Sequence, residues 1–264
     1  ELPADAVMLD WGYDADADFP AVRSAARGDR EVIVCPGTTG WNRLINDYGT
    51  SDSNIHNAAA AAEAHGASGM IVTDWGDHGH FNLPACSLPA IASAASRAWN
   101  VKSFQNYTAD QTIEAFIFES PVPGIMKALR RMARVGERMD TWCRLYESLA
   151  NCEALTAIDL PTAASLKTDA KAAMALMVGG NDETAEWRLA CQASALLSDK
   201  IVIAHALAAD GRAEATALRR FADDVDQFVD RYVSTWLARN RPNRLRDVSH
   251  PLTELAQEAR QLRR

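Results

Sequence analysis

Three short clusters hold the residues whose types and spacing could do chemistry. They are Trp11-Gly12-Tyr13-Asp14, Pro36-Gly37-Thr38-Thr39-Gly40-Trp41-Asn42 and Thr73-Asp74-Trp75-Gly76-Asp77-His78-Gly79-His80. Each sets a tryptophan among glycines and short polar groups. An indole presents a flat apolar face to the C–H face of a sugar ring, and nearby carboxylates and amides bind its hydroxyls. Glycine lets backbone come close to a ligand. Converging on one mouth, the three clusters would make a carbohydrate pocket. Other readings compete. The run Pro36 to Gly40 could be a plain turn or a phosphate cradle, but it lacks the GxxxxGK(S/T) pattern of a nucleotide loop. Asp74, Asp77, His78 and His80 are residue types that ligate zinc or manganese, although alternate residues after a strand point in different directions. A tryptophan at one strand end is ordinary rim packing; its repetition at three successive strand ends favours the sugar reading.

The elements that must position these clusters follow from the apolar runs. Ala6 to Asp10, Glu31 to Cys35 and Gly69 to Thr73 read as strands, and each leads directly into one cluster. Between and after them come helical stretches: Pro20 to Arg27, Asn54 and Ile55 to His65 closed by Gly66, and Pro89 to Trp99. Strand–helix alternation with nearly continuous apolar strands implies parallel pairing with both faces covered. In such folds ligands bind at the carboxyl ends of the strands. After about Tyr107 the pattern turns helical: Gly124 to Cys152, Ala163 to Val178, Glu183 to Ala208, Ala213 to Arg239 and Pro251 to Arg264, with Thr162 and Asp182 as expected N-caps. The expected division is 1–107 for an α/β part and 108–264 for a helical bundle, packed directly on each other.

Composition narrows the class. The chain of 264 residues carries a formal net charge of -8, which argues against a nucleic-acid or anionic-membrane surface. Its five cysteines, Cys35, Cys86, Cys143, Cys152 and Cys191, form no CxxC pair, which removes a zinc ribbon and a redox motif and suits buried thiols in a reducing, cytoplasmic setting. No run approaches the ~18 apolar residues of a membrane span. The chain opens on Glu1 and almost at once on a strand, as a processed or truncated protein would, so a preceding segment is expected to matter.

The stretch Val34-Cys35-Pro36-Gly37-Thr38-Thr39-Gly40-Trp41-Asn42-Arg43-Leu44 resembles the seventh strand and loop of family 20 glycoside hydrolase barrels, the β-N-acetylhexosaminidases. Gly66-Ala67-Ser68-Gly69-Met70-Ile71-Val72-Thr73-Asp74-Trp75-Gly76-Asp77 is similar to the eighth, and Trp236 to Pro242 resembles the helical domain that bacterial members add after the barrel. The resemblance implies the last three βα units of a TIM (β/α)8 barrel followed by a helical domain. It also implies retaining, exo-acting removal of terminal N-acetylglucosamine, in which the substrate's own acetamido oxygen attacks the anomeric carbon. Carried over, Tyr13 contacts the acetamido group, Trp11, Trp41 and Trp75 wall the sugar, and Asp77 binds hydroxyls of the terminal sugar. Asp77 stands where a glutamate is common in the family. No cofactor or metal is implied.

One departure is decisive. The family's Asp-Glu pair follows the fourth strand, and only the last three strands are expected here. Asp182-Glu183, the one Asp-Glu dipeptide, falls at a helix start, where acidic residues offset the helix dipole. No catalytic acid is therefore assigned, and the chain alone is expected to be inactive. Three strands would leave an open edge and an unfilled interior. The expected partners are an N-acetylglucosamine-containing glycan and the amino-terminal part of the same protein, with a homodimer through the helical domain as a further expectation. The alternatives are a non-catalytic carbohydrate-binding or assembly module, and a metal-dependent hydrolase using Asp74, Asp77, His78 and His80.

Overall fold

The computed structural model describes residues 3, 5–25, 30–41, 43–77, 81–101, 109–118, 124–136 and 141–262. Among them, β1 (Met8–Trp11), β2 (Val32–Cys35) and β3 (Gly69–Met70) form a parallel sheet in that order. Leu9 lies opposite Ile33, and Ile33 opposite Gly69. The expected third strand, Gly69 to Thr73, is regular over two residues only. Its backbone nevertheless keeps bonding to β2 beyond them: Ile71 N–H donates to Val34 O at 3.0 Å and Thr73 N–H to Pro36 O at 2.9 Å.

Successive strand residues face opposite ways, and the two faces of this sheet differ. On one, α1 (Pro20–Ala25) and α2 (Tyr48–His65) bury Val22, Val32, Val34 and Ala58 together with Phe19. Helix α3 (Leu88–Trp99) packs on α2 through Ile55, Ala90 and Ala94. On the other, Leu9 and Trp11 are 51% and 61% exposed, with Val7 and Ile71 exposed beside them. The continuous apolar runs therefore reflect cover on one face and a bare apolar surface on the other. Among the described residues β1 and β3 each pair with β2 alone, so both sheet edges are open.

Helix α2 begins six residues before Asn54, the position expected. Asp47 caps it, accepting from Thr50 N–H at 3.0 Å. Gly49, Ser51 and Ser53 in its first turns are weak helix formers, which hides the start in the sequence; as a result Asn54 sits inside the helix. At the other end Gly66, at φ 71°, adopts the left-handed conformation and donates to Ala62 O.

The second part consists of α4 (Ala109–Phe116), α5 (Ile125–Gly136), α6 (Thr141–Tyr146), α7 (Cys152–Thr156), α8 (Leu160–Leu176), α9 (Asp182–Asp210), α10 (Ala215–Arg239) and α11 (Leu245–Gln261). Among the described residues, the stretch expected as one helix from Gly124 to Cys152 holds α5 and α6 and reaches only the first residue of α7. The N-caps of α8 and α9 are Asp159 and Asn181, which accept from Thr162 and Thr184 N–H at 2.7 and 2.8 Å, rather than Thr162 and Asp182. Helix α11 starts before Pro251 and carries it in its interior. Central α9 buries Trp187, Cys191, Leu197 and Ile201. It also buries Lys200, whose Nζ donates to the carbonyls of Arg144 (2.7 Å), Leu145 (2.9 Å) and Glu147 at the end of α6. Burial pulls the Lys200 pKa down to about 7.

The loops after β2 and β3 run into this helical core. Leu44, Tyr48, Phe81, Leu83 and Cys86 share one buried cluster with α5, α8, α9 and α10. Phe81 stacks on Tyr232 with ring centroids 5.2 Å apart, and Tyr232 Oη–H donates to Phe81 O at 3.0 Å. Buried Glu186 accepts from Ala85 N–H at 2.7 Å, and Arg239 ion-pairs with Glu183 and Glu186 at 3.1 and 3.3 Å. Arg239 is thus part of the join between the two layers. No helix among the described residues is long and apolar enough to cross a membrane.

Candidate functional site

The three clusters meet at the carboxyl ends of the strands, and one side chain ties two of them. Asn54, fully buried on α2, accepts Gly37 N–H on Oδ1 at 3.0 Å. Its Nδ2 donates to Gly12 O at 2.8 Å and Asp14 O at 2.9 Å. The loops after β1 and β2 are therefore held to one amide, with Tyr13 between its two carbonyl contacts. Sequence reasoning took Asn54 for a helix start and missed this role. The available signal is its place four residues before Ala58, on the helix stripe that faces the sheet.

Gly37 is required by close approach. A Cβ there would lie 2.8 Å from a Trp41 ring carbon and 2.9 Å from one of Tyr13, so both rings rest on bare backbone. Their centroids are 5.2 Å apart with planes inclined by 60°. Just beyond, Thr39 has φ 53°, uncommon for a β-branched residue. Its hydroxyl donates to Asp47 O at 2.6 Å, which holds the strained backbone. Buried Asn46 donates to Thr38 O at 3.0 Å and to Ser87 Oγ at 3.1 Å, and accepts from Asn82 Nδ2 at 2.7 Å.

The third cluster completes the group. Trp75 Nε1–H donates to Tyr13 Oη at 2.8 Å, and the Trp75 ring meets Trp11 edge-on with centroids 6.3 Å apart. Trp11, Trp75, Tyr13 and Trp41 thus form one continuous aromatic row, with Trp41 and Tyr13 half-buried and Trp75 and Trp11 exposed. An indole nitrogen can only donate. Tyr13 Oη therefore accepts from Trp75 and keeps its own proton for an acceptor on a ligand. Exposed rings beside a directed hydroxyl suit a ligand with an apolar face and a carbonyl oxygen.

Four of the five expected site residues, Trp11, Tyr13, Trp41 and Trp75, are in contact through this row. Asp77 is exposed two residues past Trp75 and makes no hydrogen bond or ion pair among the described residues. Asp74 is committed elsewhere: its Oδ1 accepts from Thr38 Oγ1 at 2.5 Å and Ser87 Oγ at 2.9 Å, joining the loops after β2 and β3. His78 and His80 lie outside the described residues, and among those described no group of three or more His, Cys, Asp or Glu side chains is placed to hold a metal. Of the cysteines, Cys35, Cys86 and Cys191 are buried and free. Burial raises the pKa of each, that of Cys191 to about 12, so these thiols stay protonated. Glu183 stands in the first turn of α9 and pairs with Arg239, away from the aromatic row. Compared with known proteins, the chain matches no protein-family model and no curated sequence.

Proposed function

We propose that this chain supplies the sugar-binding wall of a retaining, exo-acting β-N-acetylhexosaminidase. The observation that carries the reading is the row Trp11–Trp75–Tyr13–Trp41, in which the Trp75-to-Tyr13 hydrogen bond frees the tyrosine proton for a ligand. In this reading the Tyr13 hydroxyl donates to the substrate's acetamido oxygen and holds it against the anomeric carbon. The developing oxazolinium ion is then formed from the substrate's own group. Trp11, Trp41 and Trp75 box the ring, and the open carboxylate of Asp77 accepts from hydroxyls of the terminal sugar.

The sheet supports the same reading. Three parallel strands backed by helices on one face, bare and apolar on the other and open at both edges, suit the last three βα units of a (β/α)8 barrel. The bare face, with Val7, Leu9, Trp11 and Ile71, would be barrel interior, covered by strands supplied by another segment. That segment would also bring the acid that protonates the leaving oxygen.

The test has two parts. The chain alone is titrated with N-acetylglucosamine by tryptophan fluorescence, then incubated with a nitrophenyl N-acetyl-β-glucosaminide. Saturable binding that Trp75→Ala removes, without turnover, is expected. Turnover by the chain alone would place the acid within it and overturn the assignment. Binding that persists in Trp75→Ala would move the sugar site elsewhere. Binding of many unrelated glycans with no turnover when the missing strands are restored would favour a carbohydrate-binding module.

A further inference from the structure

The helical part holds a concave site that shares no residue with the aromatic row. Helices α8 and α10 both pack on α9, and between them lies a trough of about 330 Å³, within the ~300–1,000 Å³ range of small-molecule pockets. Helical spacing sets its rims. Lys167 and Lys171 stand one turn apart on α8, and Arg220 and Arg231 stand on the facing stripe of α10, 16 Å apart along the axis by roughly 1.5 Å per residue.

Charge singles this trough out. Its four cations face two carboxylates, Asp199 and Asp224, a surplus of two positive charges in a chain whose net charge is -8. Lys167 pairs with Asp199. Lys171, Arg220 and Arg231 make no ion pair among the described residues. The lining is not purely ionic: Met174, Leu196 and Phe228 give it an apolar floor.

We propose that this trough binds a phosphate monoester of a small organic molecule. A phosphate monoester carries nearly two negative charges at pH 7, which matches the surplus, and its oxygens suit the arginine fork. The ligand's carbon skeleton lies on Met174, Leu196 and Phe228. Inorganic phosphate lacks the carbon skeleton, and a neutral sugar lacks the charge. The inference is independent of the hexosaminidase reading, because the aromatic row takes no part in it.

The experiment is calorimetric titration of the full chain at low salt with glucose 6-phosphate, glucose and inorganic phosphate in parallel. Glucose 6-phosphate should bind saturably and about tenfold or more tighter than inorganic phosphate, and glucose should give no heat. Arg231→Gln and Lys171→Gln should each weaken it by about tenfold, as expected for loss of one charge-assisted bond, while Trp75→Ala leaves it unchanged. The two cations are exposed on different helices, so if one variant unfolds the other keeps the test. Equal affinity for inorganic phosphate, full affinity in Arg231→Gln and Lys171→Gln, or no heat from any of the three would overturn the proposal.

Discussion

Replacing Asn54 by alanine isolates what holds the aromatic row in place. The substitution removes three hydrogen bonds, of 3.0, 2.8 and 2.9 Å, from a fully buried side chain. The three partners do not suffer equally. Gly37 is buried, so its N–H is left without water or partner, at a cost of about 1–3 kcal/mol. Gly12 is half-buried and Asp14 exposed. Their carbonyls can turn to solvent, which limits the loss to about 0.5–1 kcal/mol each. The expected total is about 2–5 kcal/mol, read by urea unfolding followed by circular dichroism. Asn57→Ala is the control: Asn57 is one turn further along α2 and makes the same kind of bond, to Ala15 O at 2.8 Å, but exposed. It should cost less than about 0.5 kcal/mol. Where the Asn54 variant keeps native structure, the tryptophan near-ultraviolet dichroism should change, because Tyr13 and Trp41 lose their common anchor. If both variants cost the same small amount, the buried amide does not organise the site and the reasoning fails.

Other expectations follow from the same geometry. Gly37→Ala puts a Cβ 2.8 Å from the Trp41 ring, so both rings must move; about 1–3 kcal/mol of stability and an altered near-ultraviolet spectrum are expected, and an unchanged protein would refute the contact. Trp75→Phe keeps a ring but removes the donor to Tyr13 Oη. Being partly exposed, it should leave stability within about 0.5 kcal/mol while weakening N-acetylglucosamine binding severalfold in a fluorescence titration. Lys200 has a folded pKa of about 7 against 10.5 when exposed, so the unfolded chain holds more protons between those values and stability rises with pH across that window. Measured as a difference from Lys200→Met, the rise should approach about 1 kcal/mol per pH unit, and a flat difference would contradict it. The comparison is needed because Cys86 and Cys191, with pKa values raised by burial, push stability the other way above about pH 9.

The sequence alone was enough for the order of three strands and their helices, because apolar runs and helical periods are local properties. The same locality placed Trp11, Trp41 and Trp75 at strand ends. Helix starts were less legible where a cap, not a hydrophobic period, sets them: Asp47, Asp159 and Asn181 each lie ahead of the residue that periodicity suggests. Only the tertiary structure decided that Trp75 bonds Tyr13 across 62 residues, that Asn54 ties two loops, and that Gly37 must lack a side chain. It alone also decided that one sheet face is bare and that cations from α8 and α10 face each other across α9. These are facts of register and rotamer between distant segments. A period says which face of a helix or strand is apolar, but the atom that meets another across the fold depends on how whole elements slide and pack, and no local pattern records that.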